Sequence, residues 1–146
     1  MATYSSSQYT NTAPFPSHGL SGNVKSQFAA VTCVAAPSTS DTINFFYLPK
    51  NARVILALLE STDMDTNGTP TLTLNVGDGG DADRYFAAST VGQAGTLSSA
   101  IATTGAGYLT TDKTLITGVA ANNAATGAAG TLYLTMFYVV EESATS

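Results

Sequence analysis

Residues 69–76 have the sequence TPTLTLNV, the clearest alternation of apolar and polar side chains in the chain. One side of an extended backbone here would carry Leu72, Leu74 and Val76, and the other Thr71, Thr73 and Asn75. A period of two is typical of a β-strand with one buried face. Pro70 cannot donate a hydrogen bond to a strand ladder, so it marks the beginning or the edge of this strand.

Other stretches carry apolar residues in short runs bounded by turn residues, which predicts strands rather than helices. They are residues 27–34, 43–48, 53–60, 84–87, 108–111, 114–119 and 131–140. The run 53–60, RVILALLE, contains helix formers, but it is short for a helix and follows a predicted strand and turn. We therefore interpret it as a buried strand. Residues 88–107 are rich in Ala, Ser, Thr and Gly and predict a long surface loop.

About eight short strands without a helix predict an all-β fold. The architecture is either a single β-sandwich (jelly-roll-like) or a β-barrel domain. The last predicted strand, 131–140, is apolar on both sides, which implies cover by a second sheet or by another protomer. At 146 residues and 14.9 kDa, the chain has the length of one domain.

The beginning of the chain differs in composition from the rest. Residues 1–23 are mostly Ser, Thr, Asn, Gln, Pro and Gly, without a helical or strand period. We predict an extended N-terminal arm over 1–23, a β domain over 24–142 and a polar tail over 143–146. Widely spaced apolar anchors in the arm, Tyr4, Tyr9, Phe15 and Leu20, favour an arm that orders against a partner; the alternative is a disordered terminus.

Composition excludes several classes of function. Five Lys and Arg against ten Asp and Glu give a net charge of −5, which argues against a nucleic-acid partner. No apolar run is long enough to span a membrane. The single Cys33 has no internal disulfide partner and is expected to be a small buried hydrophobe. The single His18 leaves no multi-histidine metal site. We predict no cofactor.

Six of the ten acidic residues lie between residues 60 and 83. The motif DMDTNG, residues 63–68, begins like a calcium loop, with Asp63, Asp65 and Asn67 as candidate ligands. The twelfth position of that loop falls on Leu74, where a calcium loop needs a bidentate Glu. We therefore predict no metal site, and interpret these residues as turns whose side chains bond to their own backbone.

The same segment offers no catalytic pair. Asp63 with Asp65, or Asp81 with Asp83, has the residue types of a glycosidase, but nothing nearby would raise one pKa. Arg84 is expected to pair with Asp81 or Asp83 as a surface ion pair. The sequence predicts a protein that is not an enzyme.

Three motifs together resemble a pattern of small virion proteins from tailed bacteriophages. They are LPKNARV over residues 48–54, LTLNVGD over 72–78 and DRYF over 83–86. On these residues the chain resembles the head decoration, or capsid cement, proteins, and the likeness covers about residues 43–95. The motifs of that family are structural, so the resemblance transfers no catalytic residue.

The resemblance implies a function for the chain. Decoration proteins bind the outer surface of an assembled phage head and staple neighbouring subunits of the major capsid protein. We therefore expect a protein on the virion exterior, assembled in the host cytoplasm, that forms a homo-oligomer, either a trimer or a dimer. The alternatives are a head-fibre or tail module that faces a receptor, and a β-sandwich that binds a cation or a carbohydrate.

Overall fold

The computed structural model describes residues 23–141, and eight strands make up most of its regular structure. These are β1 (Lys25–Cys33), β2 (Ile43–Leu48), β3 (Ala52–Ser61), β4 (Thr73–Gly77), β5 (Phe86–Ser89), β6 (Leu97–Ser98), β7 (Thr114–Asn122) and β8 (Gly130–Val140). A 3-10 turn, Val91–Gln93, lies between β5 and β6. No α-helix occurs in this range, so the prediction of an all-β fold is confirmed.

The strands form two four-stranded antiparallel sheets that pack as a sandwich. The first sheet has the order β1-β8-β3-β6 and the second the order β2-β7-β4-β5. Only the connection from β4 to β5 joins neighbours within one sheet, whereas every other connection crosses between the sheets. This order is that of a jelly roll. Of the two predicted architectures, the jelly-roll-like sandwich is confirmed and the closed barrel is not formed.

The core lies between the sheets because the longer strands turn alternate apolar side chains inward. On β8, the inward residues Leu132, Leu134, Met136 and Tyr138 are buried, and the residues between them are half-buried. Leu72, Leu74 and Val76 are buried as their alternation predicted. Burial of side chains of this size supplies the main driving force for folding.

Two predicted elements differ from the structure. Residues 108–111 are not a strand: Leu109 forms only an isolated bridge with Arg53. The buried Thr110 instead forms backbone hydrogen bonds with Asn51 and Ala52. This short segment therefore lies beside the first residues of β3. Conversely, the predicted loop 88–107 contains β6, which pairs with β3. The run 53–60 lies within β3, which confirms it as a strand.

The described range lies almost entirely inside the predicted β domain of residues 24–142. The N-terminal arm before Asn23 and the polar tail over 143–146 lie outside the described residues. Their boundaries therefore stay predictions.

Candidate functional site

Asp65, the central candidate ligand of the predicted calcium loop, is buried, with 1% of its surface exposed. Its Oδ2 accepts hydrogen bonds from the backbone N–H groups of Thr71 at 2.7 Å, Leu72 at 3.0 Å and Ala125 at 3.0 Å. Its Oδ1 accepts one from Thr126 at 2.9 Å. Both oxygens are therefore engaged by main-chain donors from two separate segments of the chain.

These contacts set the charge state of Asp65. Burial by itself raises the pKa of this carboxyl group, but the four backbone N–H donors outweigh burial and hold the pKa well below its ordinary value. Asp65 is therefore ionised at neutral pH. Its hydrogen bonds connect the segment before β4 to the β7–β8 loop.

Asp63 and Asn67, the other two candidate ligands, also bond to the backbone. The Oδ1 of Asp63 accepts from the Asp65 N–H at 3.2 Å, and the Oδ1 of Asn67 accepts from the Thr69 N–H at 2.8 Å. Such contacts stabilise tight turns. Across residues 23–141, no cluster of three or more His, Cys, Asp or Glu side chains has the arrangement of a metal site.

Arg84 pairs with Asp78, not with the predicted Asp81 or Asp83. Its Nε donates to Asp78 Oδ2 at 2.7 Å, and its second terminal nitrogen donates to Asp78 Oδ1 at 3.3 Å. Asp78 Oδ1 also accepts from the N–H groups of Gly80 and Asp81, so the turn folds around Asp78 and leaves Asp83 outside. The prediction was wrong because turn geometry, not sequence distance, decides which acid faces Arg84.

This ion pair is largely buried, with 15% of the Arg84 side chain and 4% of the Asp78 side chain exposed. The guanidinium carbon of Arg84 lies 3.7 Å from the centre of the Tyr108 ring, a cation–π contact. Arg84 and Tyr108, together with Lys113 and Thr114, line an open cavity of about 440 Å³. Because Asp78 neutralises Arg84, the cavity offers no free arginine for an anion.

Tyr85 lies next to this pair and is fully buried. Its hydroxyl is the one buried side-chain polar atom in the described range without a hydrogen-bond partner. Burial raises the pKa of Tyr85 far above its ordinary value, with a smaller contribution from the charge of Asp78. A tyrosine held neutral in this way packs as a core aromatic and cannot act as a base at neutral pH.

Cys33 lies at the end of β1, half-buried against the core rather than fully buried as expected. The difference arises because β1 is an edge strand of the first sheet and has a neighbour on one side only. Burial, followed by the nearby charge of Asp41, raises the pKa of the thiol. A protonated thiol is a poor nucleophile.

The outward side of the first sheet carries an apolar surface, which we call the outer apolar face. It consists of Phe28, Leu56, Leu58, Tyr133 and Phe137, all on β1, β3 and β8. The rings of Phe28 and Tyr133 stack with their centres 6.1 Å apart. The apolar character of both sides of β8 predicted cover by a second sheet or by another protomer, and the second sheet covers the inward side. No described element covers the outer apolar face.

Some predicted site residues fall outside the described part of the chain. The four arm anchors, Tyr4, Tyr9, Phe15 and Leu20, precede Asn23, and so does His18. Sequence reasoning missed the free edge of β1. It predicted that Asp65 bonds to the backbone, but missed that Asp65 is buried and accepts from the distant Ala125 and Thr126. Only the short spacing DxDxN indicated that Asp65 belongs to a tight bend. Within residues 23–141, no helix has the length and apolarity to span a membrane.

Comparison with known proteins places the chain in a family. No family model matches it, and no curated protein matches it. A chain of the structure "Cyanophage Pam1 capsid asymmetric unit" is 45% identical to it, covering 96% of this chain and 99% of that one, with a TM-score of 0.83. A chain of "Capsid of Ralstonia phage GP4" is 32% identical over 94% of this chain and 95% of that one, with a TM-score of 0.72.

The protein therefore belongs to a family of phage capsid-associated proteins. The resemblance that the sequence motifs indicated is confirmed, and this chain is a virion structural component. A third chain, from "Acidic stable capsid structure of Helicobacter pylori bacteriophage KHP30", is 17% identical, covers 80% of this chain and 94% of that one, and has a TM-score of 0.51. That likeness extends to the fold alone.

Proposed function

We propose that this capsid-associated protein decorates the outer surface of an assembled phage head. It binds the major capsid protein and staples neighbouring capsid subunits, without enzymatic activity. The observation that carries the proposal is the near-full-length likeness, at 45% identity, to a chain of the cyanophage Pam1 capsid asymmetric unit. Because the likeness covers 96% of this chain and 99% of that one, it concerns the whole fold and not one shared motif.

The geometry of the β domain supports a structural role. Its polar clusters are engaged in internal contacts: Asp65 with four backbone N–H groups, and Asp78 with Arg84. Charged groups that are satisfied in this way stiffen the turns that hold them. A rigid body of this kind is what a staple between capsid subunits requires. Contrary to the expectation from the sequence, one carboxyl of the Asp81–Asp83 pair does have a raised pKa, since the contact with Asp81 raises the pKa of Asp83.

The N-terminal arm supplies the second requirement of a staple, which is reach. Twenty-two residues precede the described range, and a fully extended chain of that length spans about 70 Å. An arm that orders only on binding adds contacts to an exposed surface of the partner. We propose that Tyr4, Tyr9, Phe15 and Leu20 anchor the arm to the major capsid protein.

The proposal includes self-association on the virion exterior after assembly in the host cytoplasm. A homo-oligomer presents several arms to a symmetric shell, and each weak contact is then multiplied by avidity. The predicted trimer and dimer both satisfy this requirement.

A binding experiment on purified heads tests the proposal. Heads assembled without this protein are mixed with either the full chain or a chain lacking residues 1–20, and the bound protein is measured after sedimentation. We expect the full chain to saturate the heads, and the deletion to weaken binding by about tenfold or more because the arm contacts are lost. The melting temperature of the β domain should not change.

A matched control keeps the length of the arm and removes all four anchors, by Tyr4→Ser, Tyr9→Ser, Phe15→Ser and Leu20→Ser in one chain. This variant should bind as poorly as the deletion. If the deletion binds as tightly as the full chain, the role of the arm is wrong. If the full chain itself fails to bind the heads, the decoration function is wrong.

A further inference from the structure

The charged residues of the sandwich are distributed unevenly between its two ends. A short turn connects β2 to β3, so the end of β2 and the beginnings of β1, β3 and β7 lie together at one end. We call it the arm end, because the N-terminal arm leads into β1 there. All five cationic residues of the chain lie at or next to the arm end: Lys25, Lys50, Arg53, Arg84 and Lys113. Among the described residues, the opposite end, which we call the acidic end, has no Lys or Arg and carries Asp41, Glu60, Asp63 and Asp65.

The two arginines at the arm end are engaged inside the chain. Arg53 forms an ion pair with Glu141, and Arg84 forms one with the buried Asp78. Each pair connects segments of the same domain, so neither guanidinium is left for a partner. The contacts of the arm end with other molecules therefore depend on its lysines.

The three lysines at this end are exposed and form no ion pair with any described residue. They lie on one side of the arm end, since Lys25 begins β1, Lys50 follows β2, and Lys113 precedes β7, the strand that pairs with β2. The unpaired Asp81 and Asp83 lie on the other side, in the turn between β4 and β5. The side of the arm end next to β1 and β2 is therefore the one part of the described surface where free cations cluster.

Lys50 lies in a turn that is held rigidly. The Thr110 hydroxyl donates a hydrogen bond to the Pro49 carbonyl at 2.6 Å and accepts one from the Ala52 N–H at 2.9 Å. The Asn51 N–H donates to the Thr110 carbonyl at 2.9 Å. A turn that is already ordered loses little conformational entropy when its side chain binds a partner.

Lys113 is positioned by an aromatic ring. Its Nζ lies 4.6 Å from the centre of the Tyr47 ring, a cation–π contact at the surface. Lys113 also lines the open cavity of about 440 Å³, together with the hydroxyl-bearing Thr111 and Thr114. An ammonium group beside two hydroxyl donors is suited to receive a carboxylate side chain of a partner.

We propose that the arm end faces the capsid shell and that Lys25, Lys50 and Lys113 form ion pairs with carboxylates of the major capsid protein. This inference rests on the proposed function and names the surface and the chemistry of the contact. The capsid protein is the partner that fits, because the described chain begins at Asn23, two residues before Lys25. An arm that is bound to the shell therefore brings these lysines to the shell, and the acidic end points away from it.

The first test measures binding to heads that lack this protein, after sedimentation as before. Lys50→Gln combined with Lys113→Gln should weaken binding by about fivefold or more, because two ion pairs are lost in every bound copy. Lys50→Arg combined with Lys113→Arg keeps both charges and should bind within about twofold of the unaltered chain. Raising the salt concentration from about 0.05 M to 0.5 M should weaken the unaltered chain more than the glutamine variant, since salt screens ion pairs.

A charge-matched control separates the lysines from net charge. Val34→Glu combined with Ala129→Glu changes the net charge by the same two units, but at exposed positions of the acidic end. This control should bind like the unaltered chain. An unchanged melting curve checks that each variant is folded.

The second test identifies the partner groups directly. A carbodiimide joins an amine to a carboxyl group only where the two are in contact. Decorated heads are treated with it, digested and analysed by mass spectrometry. We expect links from Lys50 or Lys113 to Asp or Glu residues of the major capsid protein.

Three results would overturn the inference. They are a glutamine variant that binds as tightly as the unaltered chain, a control that loses as much binding as the glutamine variant, and an absence of links between these lysines and the capsid protein. In each case the unaltered chain still binds heads, so the decoration function stands. If the unaltered chain itself does not bind, the decoration function is wrong and the inference falls with it.

Discussion

Asp65 shows how one carboxylate can organise a bend that resembles a cation loop in sequence. A calcium loop uses alternate oxygen ligands around an ion, whereas Asp65 accepts four main-chain N–H groups at 2.7–3.0 Å. The positive ends of these peptide dipoles replace the ion. The same spacing of Asp, Asp and Asn therefore serves a purely internal contact.

Asp65→Asn should lower the melting temperature by about 5 °C or more. An amide NH₂ would face backbone donors in either orientation of the side chain and leave buried N–H groups unsatisfied. Asp63→Asn is the matched control, because Asp63 is exposed and its single acceptor contact survives as an amide oxygen. The measurement is thermal unfolding by circular dichroism, and equal shifts for the two variants would contradict this role for Asp65.

The pH dependence of stability should follow from the same residue. The pKa of Asp65 is lower in the folded chain than in the unfolded chain, so the unfolded state binds the proton more readily. The stability that Asp65 contributes is complete above the unfolded pKa of about 4 and is lost as the pH falls further toward the folded pKa. In Asp65→Asn, this acid-induced loss should be smaller than in the unaltered chain, as measured by unfolding curves below pH 4.

The contacts of individual side chains were the least predictable level of this molecule. Asp78, Asp81 and Asp83 all lie within six residues of Arg84, and their spacing does not distinguish among them. The backbone hydrogen bond from Asp78 N–H to the Asp81 carbonyl closes the turn and places Asp78 beside the guanidinium. A local fold that is set by main-chain bonds cannot be derived from charge alone.

Among the elements, strands with strong alternation or a long apolar run were predicted well. Residues 53–60 and 131–140 lie within β3 and β8 because each has enough apolar residues to fill one side of a sheet. The prediction of a strand over residues 108–111 was wrong because a single isolated bridge, between Leu109 and Arg53, does not make a ladder. The two-residue β6 gave no periodic signal, since a strand of that length contains no repeat.

The loop that follows β6 is packed closely enough to test. A Cβ added to Gly105 would lie 2.5 Å from the Arg84 carbonyl oxygen and 2.6 Å from the Tyr85 ring. Gly105→Ala should therefore destabilise the fold by about 1–3 kcal/mol, measured by urea unfolding. Gly79→Ala is the control, because an added Cβ there meets nothing within 4 Å, and its effect should stay within about 0.5 kcal/mol. Equal effects would show that the loop is not packed on Tyr85.

At the scale of the whole molecule, pattern alone left the choice between sandwich and barrel open. The deciding pairs are remote in sequence, as between Lys25 and Tyr138, and no local periodicity encodes them. The resemblance over about residues 43–95 was enough to indicate the family, because the motif LTLNVGD contains both a strand and the turn that begins at Asp78. Whether β1 is an edge strand depends on the strand order of the whole sheet, so the sequence of β1 alone could not predict it.

The charge distribution of the whole molecule leads to a prediction about cations. Asp65 and Asp78 are held by internal donors, so the acidic segment presents no complete oxygen cage to calcium. We expect the melting temperature to stay within about 1 °C when millimolar calcium is replaced by EGTA. A clear rise with calcium would contradict this expectation and support the alternative of a cation-binding sandwich.

The strand order also determines when the protein can fold. Since β8 lies between β1 and β3, those two strands have no common neighbour until the last strand has been synthesised. Pairing between such distant segments is slow compared with local pairing. The first sheet can therefore close only after β8 has been synthesised. A chain without residues 130–140 should remain unfolded, because β1 and β3 would then have no strand between them.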